Sequence, residues 1–412
     1  MKTEARLSKG LDYYKATMGQ VEFQQYPDAE VTFELKNRAS AKLSEFVSPD
    51  ELSDRLDILR GGWQPDEIAY LASLQNQDGT AQFTPEYLDF LADNPLPPVD
   101  VALDDDGELA VHATGAWPLV TLWETVVMSE LNELYFANKL ATEGSSIDEL
   151  YREGDRRLDE KIAKLTARPD IKFSDFGTRR RFSYDWQKHV IERVATELPD
   201  NFIGTSNIYL ARVLGLKPIG TFAHELPMVY SAMADASEEN PLNGHNRVLQ
   251  DWDRTYKGDL STALTDTFTT DFFFADFTPE QAESWKALRH DSGDPIEFGD
   301  RVIEFYENLD INPTNKTIVF SDGLDIDTII ELADYFKGRI NVTFGWGTTL
   351  TNDLGVKANN FVMKAVNVNG TPTVKLSDAE GKHTGPSGKI ELYKEKVALA
   401  VGHVAVKELV TV

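Results

Sequence analysis

Residues Asp175-Phe-Gly-Thr-Arg-Arg-Arg-Phe-Ser183 set an aromatic ring beside three consecutive guanidinium groups, directly after the apolar stretch Ile171 to Phe173. Phe176 offers a flat apolar face to a ring, and the planar cations suit a carboxylate or a phosphate. A solvated arginine run beside a core phenylalanine would read the same. Arg289-His-Asp-Ser-Gly-Asp-Pro295 gathers a cation, carboxylates, a hydroxyl and a glycine. Such a set can grip a phosphorylated sugar and its Mg2+, which takes carboxylate and phosphate oxygens; a loop held by an Arg–Asp pair has the same letters. Asp266 and Asp322 join Asp291 as candidate outer-sphere ligands of that ion. His224, beside Glu225, closes the run Ile219 to Ala223. Imidazole is both a base near neutral pH and a nucleophile towards phosphorus. Ser321-Asp322-Gly323 and Phe344-Gly345-Trp346-Gly347-Thr348-Thr349 each stand between a strand and a helix start. Glycine there lets backbone N–H groups approach an anion, or serves only to turn the chain. Asp12-Tyr13-Tyr14-Lys15 supplies a second aromatic, so that Tyr14 and Phe176 can sandwich a flat substrate ring.

The elements that must position these residues show in the patterning. Seven apolar β-type runs end in Gly, Asp, Ser, Thr or Glu: 171–177, 202–206, 218–225, 263–267, 288–293, 317–323 and 342–348. Helical periodicity separates them in places, as in Val302, Phe305, Tyr306 and Leu309, and in 326–336. Strands alternating with helices predict a parallel sheet with right-handed crossovers, and seven such runs suggest an irregular TIM-like α/β barrel over residues 141–360. In such a barrel the polar strand ends converge on the face where ligands bind. Before it, residues 1–140 read as an α+β domain. Leu11 to Tyr26 looks helical, Val31, Phe33 and Leu35 alternate as in a strand, and a helix spans about Pro118 to Lys139. Val99 to Leu103 and Glu108 to Thr114 form a hairpin about Asp104-Asp105-Asp106-Gly107. Residues 361–412 begin with a hairpin on Asn369-Gly370 that could rejoin the N-terminal sheet, making an α+β domain from both chain ends.

Composition bounds the partners. Among 412 residues, 41 basic side chains face 68 acidic ones, a formal charge of −27 that argues against an extended nucleic-acid surface or an anionic membrane. An anionic ligand then needs a local exception, which Arg179 to Arg181 supply. With no cysteine there is no disulfide, thiolate nucleophile, zinc-thiolate site or iron–sulfur cluster. Met1 to Arg6 run into polar sequence without an apolar signal core, and no apolar run approaches the roughly 20 residues of a membrane helix, so a cytoplasmic location is expected.

Taken in order, Asp12-x-Tyr14-Lys15, Asp175 to Ser183, Gly204-Thr-Ser-Asn207, Gly220-Thr-Phe-Ala-His-Glu225, Leu288 to Pro295, Phe320-Ser-Asp322 and Lys375-Leu-Ser-Asp378 resemble the nicotinate phosphoribosyltransferase family. The resemblance implies a two-part fold, an irregular α/β barrel with an α+β domain from both chain ends. It implies an ATP-dependent, ligase-type enzyme of NAD salvage that joins nicotinate to 5-phosphoribosyl 1-pyrophosphate, giving nicotinate mononucleotide and pyrophosphate, with ATP and Mg2+ as co-substrate and cofactor. By motif match His224 would be a transient phosphohistidine, while Tyr14 and Phe176 would stack the pyridine and Arg179 would face its carboxylate or a phosphate. Arg289, Asp291, Ser292, Gly293, Asp322 and Gly323 would hold the phosphoribosyl group, with Asp266, Asp291 and Asp322 towards Mg2+. Gly345 and Gly347 would present N–H groups to the 5-phosphate. The nicotinamide enzyme carries an acid where this chain has Ser206; serine does not repel a carboxylate, so nicotinate is the expected substrate. A monomer or a homodimer is expected. The alternatives are the same reaction on nicotinamide or quinolinate, or a barrel hydrolase or aldolase using Asp291 and Asp322. Against the latter, no lysine ends a core strand of the barrel runs.

Overall fold

The computed structural model describes residues 5–39, 42–379 and 382–410, the stretch 403–410 by its helical backbone alone. Residues 1–4, on which the reading of the N-terminus partly rests, lie outside the described residues. The chain divides into two compact units, one of residues 1–220, 324–326 and 344–364, the other of residues 221–323, 327–343 and 365–412.

In the first unit, β1 (Glu30–Asn37) alternates buried Val31, Phe33 and Leu35 with more exposed neighbours, the period of a strand with one face in a core. It pairs antiparallel with β3, and β2 (Val99–Leu103) pairs with β3 (Leu109–Ala116), as the Asp/Gly turn predicts. The helix after them is broken: Trp117–Val120 is followed by Trp123–Glu143, with Trp117, Trp123, Val126 and Val127 fully buried. Two short parallel strands follow, β4 (Phe173–Asp175) and β5 (Phe202–Thr205), each leading towards a helix.

The second unit holds β6 (Thr262–Leu264), β7 (Ala287–His290) and β8 (Thr317–Phe320) as adjacent parallel strands. The helix Pro295–Asn308 that follows β7 starts with Asp294 accepting from the backbone N–H groups of Ile296 and Glu297, and with Pro at its first position. The strand β9 (Asn341–Trp346) is divided between the units, and in the first unit Phe344 to Trp346 pair in parallel with β4. Likewise β10 (Phe361–Val368) crosses the division, and its end turns through Asn369 and Gly370, both at positive φ, into β11 (Thr371–Pro372). Two successive left-handed residues are what a two-residue hairpin needs, and Asn-Gly supplies them with little strain.

The fold is therefore α/β with parallel strands, and six of the seven expected strand runs are strands. Residues 218–225 are the correction. Only Pro218 makes a parallel bridge, to Thr205, and His224 sits at the start of the helix Glu225–Ala236 instead of ending a strand. Apolar letters alone could not separate this buried loop from a strand, because Phe222 is buried in either case.

Candidate functional site

Each unit carries a cluster of the chemically active residues. In the first unit, Ser206 follows β5 and ties two aromatic segments together through its backbone. Its N–H donates to the Asp175 carbonyl (2.8 Å), next to Phe176, and its carbonyl accepts from the Tyr13 N–H (2.6 Å), next to Tyr14. The Ser206 hydroxyl donates to Asp12 Oδ1 (2.6 Å), with both residues buried. Burial raises the Asp12 carboxyl above its usual range although the Ser206 hydroxyl works the other way. Arg179 lies in the short helical turn Thr178–Arg180 with its Nη1 3.9 Å from Glu124. Burial disfavours the Glu124 carboxylate, but the buried Lys15 ammonium paired with it and the Arg179 guanidinium outweigh that and hold its pKa down. Tyr14, Phe176, Arg179 and Ser206 are thus gathered in one unit. The Tyr14 hydroxyl has no hydrogen-bond partner among the described residues, and burial pushes its pKa up.

Two of the three arginines separate by environment. Arg181 is 1% exposed, bonded to the Lys9 carbonyl and to Gln187 Oε1 (3.2 Å), and holds the fold together. Arg179 keeps a third of its side chain accessible, which suits it to a ligand. Gly345 has a spatial reason to be glycine that the phosphate reading did not include: a Cβ there would lie 2.5 Å from the Phe176 ring. Gly345→Ala is therefore expected to displace Phe176, to cost about 1–3 kcal/mol, and to raise the KM for the ring substrate more than that for the sugar phosphate. Steady-state kinetics with each substrate varied, beside a melting curve, would show it. Equal effects on the two KM values would contradict the account.

Asp175 ends β4 and is fully buried. It accepts from the Gly177 N–H (2.8 Å), Thr205 Oγ1 (2.6 Å) and Gln187 Nε2 (3.0 Å). Burial nevertheless pushes its carboxyl up to about 6, with the Asp12 charge adding to the rise. The folded state then binds this proton more tightly than the unfolded chain does. Stability should fall as pH rises from about 4 to about 6, by roughly 3 kcal/mol for this group. Asp175→Asn is expected to flatten that slope in urea unfolding, and an unchanged slope would assign it to other carboxyls.

In the second unit, His224 is 8% exposed and meets polar groups on both edges of its ring. Nδ1 lies 3.0 Å from Thr267 Oγ1, and Nε2 lies 3.0 Å from Asp291 Oδ2 and 2.9 Å from Lys375 Nζ. An ammonium only donates, so the Lys375 bond uses the Nε2 lone pair, whereas a bond to Asp291 uses an Nε2 proton. Nε2 can make one of them at a time. Burial, with Lys375 beside it, lowers the imidazole to about 4 against the pull of Asp266 and Asp291, so the ring is neutral at pH 7.

Asp291 follows β7. Its Oδ1 lies 3.0 Å from both Arg289 Nη2 and Ser321 Oγ, and Arg289 also donates to Ser321 Oγ (2.8 Å) and Thr221 Oγ1 (3.0 Å). Burial opposes its ionisation, yet Arg289 and then His224 hold Asp291 well below the usual carboxylate range. Asp266, just past β6, accepts from Ser292 Oγ (2.6 Å) at Oδ2, where Lys375 Nζ is 3.3 Å away. Its Oδ1 is buried with no hydrogen-bond partner among the described residues, and the His224 Nε2 stands 3.7 Å off. One ligand atom from each of His224, Asp266 and Asp291 lies within 4.8 Å of the others. An unpartnered carboxylate oxygen with a second carboxylate close by fits Mg2+, which is held by one or two carboxylates plus substrate phosphates.

Asp322 is not in this group. It pairs with Lys382 (3.3 Å) and is largely exposed, with Gly323 at positive φ beside it; Gly293, after Ser292, is likewise at positive φ. Lys375, named above only as the first residue of the motif Lys375 to Asp378, had no role assigned from the sequence, yet it stands against His224 and Asp266. Val374 and Leu376 enter an apolar cluster with Phe268, Phe272 and Tyr393, and alternation along this extended segment turns Lys375 to the other side. The signal was a lone lysine between two buried apolar residues.

Parallel strands alternating with helices place the protein among the α/β proteins. A model of the nicotinate phosphoribosyltransferase (NAPRTase) family matches residues 171–403, and one of the NAPRTase N-terminal domain matches residues 11–132. The crystal structure of nicotinate phosphoribosyltransferase from Porphyromonas gingivalis is similar at 32% identity and a TM-score of 0.81, over 96% of this chain and 100% of that one. That from Vibrio cholerae is similar at 30% identity and a TM-score of 0.84, over 98% and 97%. The class is therefore that of the phosphoribosyltransferases of pyridine nucleotide biosynthesis. Within it, the chain belongs to the nicotinate phosphoribosyltransferase family. Among the described residues, no helix is long and apolar enough to cross a membrane.

Proposed function

We propose that this enzyme makes nicotinate mononucleotide and pyrophosphate from nicotinate and 5-phosphoribosyl 1-pyrophosphate, coupled to ATP hydrolysis through transient phosphorylation of His224. The observation that carries the coupling is the buried, neutral imidazole among Asp266, Asp291, Arg289 and Lys375. A neutral ring keeps a nitrogen lone pair for phosphorus without first losing a proton.

Nicotinate would be stacked by Tyr14 and Phe176, with Arg179 towards its carboxylate and Ser206 imposing no repulsion on it. The pyridine nitrogen attacks as it stands, so no general base is needed. The residues must orient two substrates and stabilise the departing pyrophosphate and a cation-like ribosyl centre. Arg289, Asp291, Ser292, Gly293, Asp322 and Gly323 would bind the phosphoribosyl moiety, and the N–H groups at Gly345 and Gly347 would serve the 5-phosphate. Asp266 and Asp291 would hold Mg2+, with Asp322 reaching it only through water or substrate. When bound, Mg2+ would neutralise phosphate charge.

The test incubates the protein with nicotinate, 5-phosphoribosyl 1-pyrophosphate, Mg2+ and ATP and follows pyrophosphate. Omission of nicotinate should abolish release, and nicotinamide or quinolinate should not replace it. Equal rates with nicotinamide would overturn the substrate, and label from γ-labelled ATP persisting in His224→Ala would overturn the phosphohistidine.

A further inference from the structure

We infer that Lys375 is the counter-cation for the phosphoryl group carried by His224, an inference that rests on the phosphohistidine reading above. Its Nζ is 2.9 Å from His224 Nε2 and 3.3 Å from Asp266 Oδ2, and the residue is 5% exposed. The ammonium is held there by the fold. Val374 and Leu376 anchor the segment in the apolar cluster, the Lys375 N–H and carbonyl bond Thr384 (3.0 and 2.9 Å), and the Leu376 N–H donates to the Thr267 carbonyl (2.9 Å). Thr267 is also the residue whose hydroxyl meets His224 Nδ1, so one short stretch positions both ring and cation.

Charge makes the cation necessary. Asp266 and Asp291 bring two negative charges to the imidazole, and Lys375 and Arg289 bring two positive ones, so the set is balanced around a neutral ring. In the transfer a ring-nitrogen lone pair forms the N–P bond. The bond from the γ-phosphorus to the bridging oxygen breaks, and ADP leaves with that electron pair. A ring nitrogen that accepts from the Lys375 ammonium carries no proton, so none has to be released from it. About two negative charges then sit on phosphoryl oxygens beside two mostly buried carboxylates, and Arg289 with a bound Mg2+ would offset about three of these four, which leaves one to be met by a further cation. Arg289 is already shared among Asp291, Ser321 and Thr221, which leaves the Lys375 ammonium, with three donors on a flexible stem, to turn from Nε2 to the incoming oxygens.

The experiment measures acid-labile, base-stable label from γ-labelled ATP in wild type, Lys375→Met, Lys375→Arg and Lys375→Ala, each checked by thermal melting. Lys375→Met is expected to label about 100-fold or more slowly, the scale for losing a donor to developing charge, with Lys375→Arg recovering part of the rate. In Lys375→Ala, added propylammonium should restore labelling, a response that a purely structural role would not give. Label in Lys375→Met within threefold of wild type would overturn the inference. So would folded variants that neither arginine nor propylammonium rescues. Absence of label in wild type would instead overturn the phosphohistidine reading, and this inference with it.

Discussion

Asp291→Asn is expected to lower kcat/KM for nucleotide synthesis by about 10³-fold, the scale of about 3–5 kcal/mol for removing one partner of a buried charge pair. This carboxylate faces the Arg289 guanidinium and the Ser321 hydroxyl with one oxygen and the His224 ring with the other. Asparagine keeps the shape but has no negative charge for Arg289, and its amide must direct either an NH2 towards the arginine or an NH2 towards His224. Two catalytic candidates are disturbed by one substitution. Part of the cost will be stability, because Arg289 is largely buried and would lose its ionic partner. Kinetics must therefore be compared on protein shown to be folded by its melting curve. An activity within tenfold of wild type would mean that Asp291 only braces Arg289, and the proposed assignment to the phosphoribosyl group and Mg2+ would fail.

The second large effect is expected from Ser206→Asp. The serine hydroxyl donates to Asp12 Oδ1 at 2.6 Å in a buried setting, and Asp12 is already raised by burial. A carboxylate at 206 removes that donor and adds a like charge, so the pair can carry little more than one negative charge between them. Stability at pH 7 should drop by about 3 kcal/mol and recover as pH falls, since protons bind the folded pair more tightly than the unfolded chain. The kcat/KM for nicotinate should fall by about 100-fold or more, because the pair's charge can then reside at position 206, where serine is neutral, and repel the substrate's carboxylate, while nicotinamide suffers less. Unchanged nicotinate kinetics would remove Ser206 from the account of specificity. Ser206→Ala separates the terms: it deletes the hydrogen bond without adding charge, and about 1–3 kcal/mol of stability should go with little change in preference.

The ordered motifs carried the family, the strand ends and most candidate site residues, because short-range chemistry is written in adjacent letters. An Asn-Gly pair needs left-handed backbone whatever surrounds it, and the hairpin at 369–370 follows. Alternation at Val31, Phe33 and Leu35 likewise needs only one buried face to become a strand. Residues 218–225 defeated that reasoning. Phe222 is buried and its apolar neighbours are half-buried, but burial does not say whether a neighbouring strand accepts the backbone hydrogen bonds.

By itself, then, the sequence determined the α/β alternation, the family motifs, the acidic charge and the absence of thiol chemistry, all properties of composition and near neighbours. Tertiary structure alone decided which members of each set meet. It separated Arg179 from the buried Arg181, left Asp322 paired with Lys382, and gave Gly345 its close approach to Phe176. It also brought Lys375 to His224, residues 151 positions apart in the chain. Direct contact between side chains so far apart is fixed by the packing of whole elements, which no local window of residues contains.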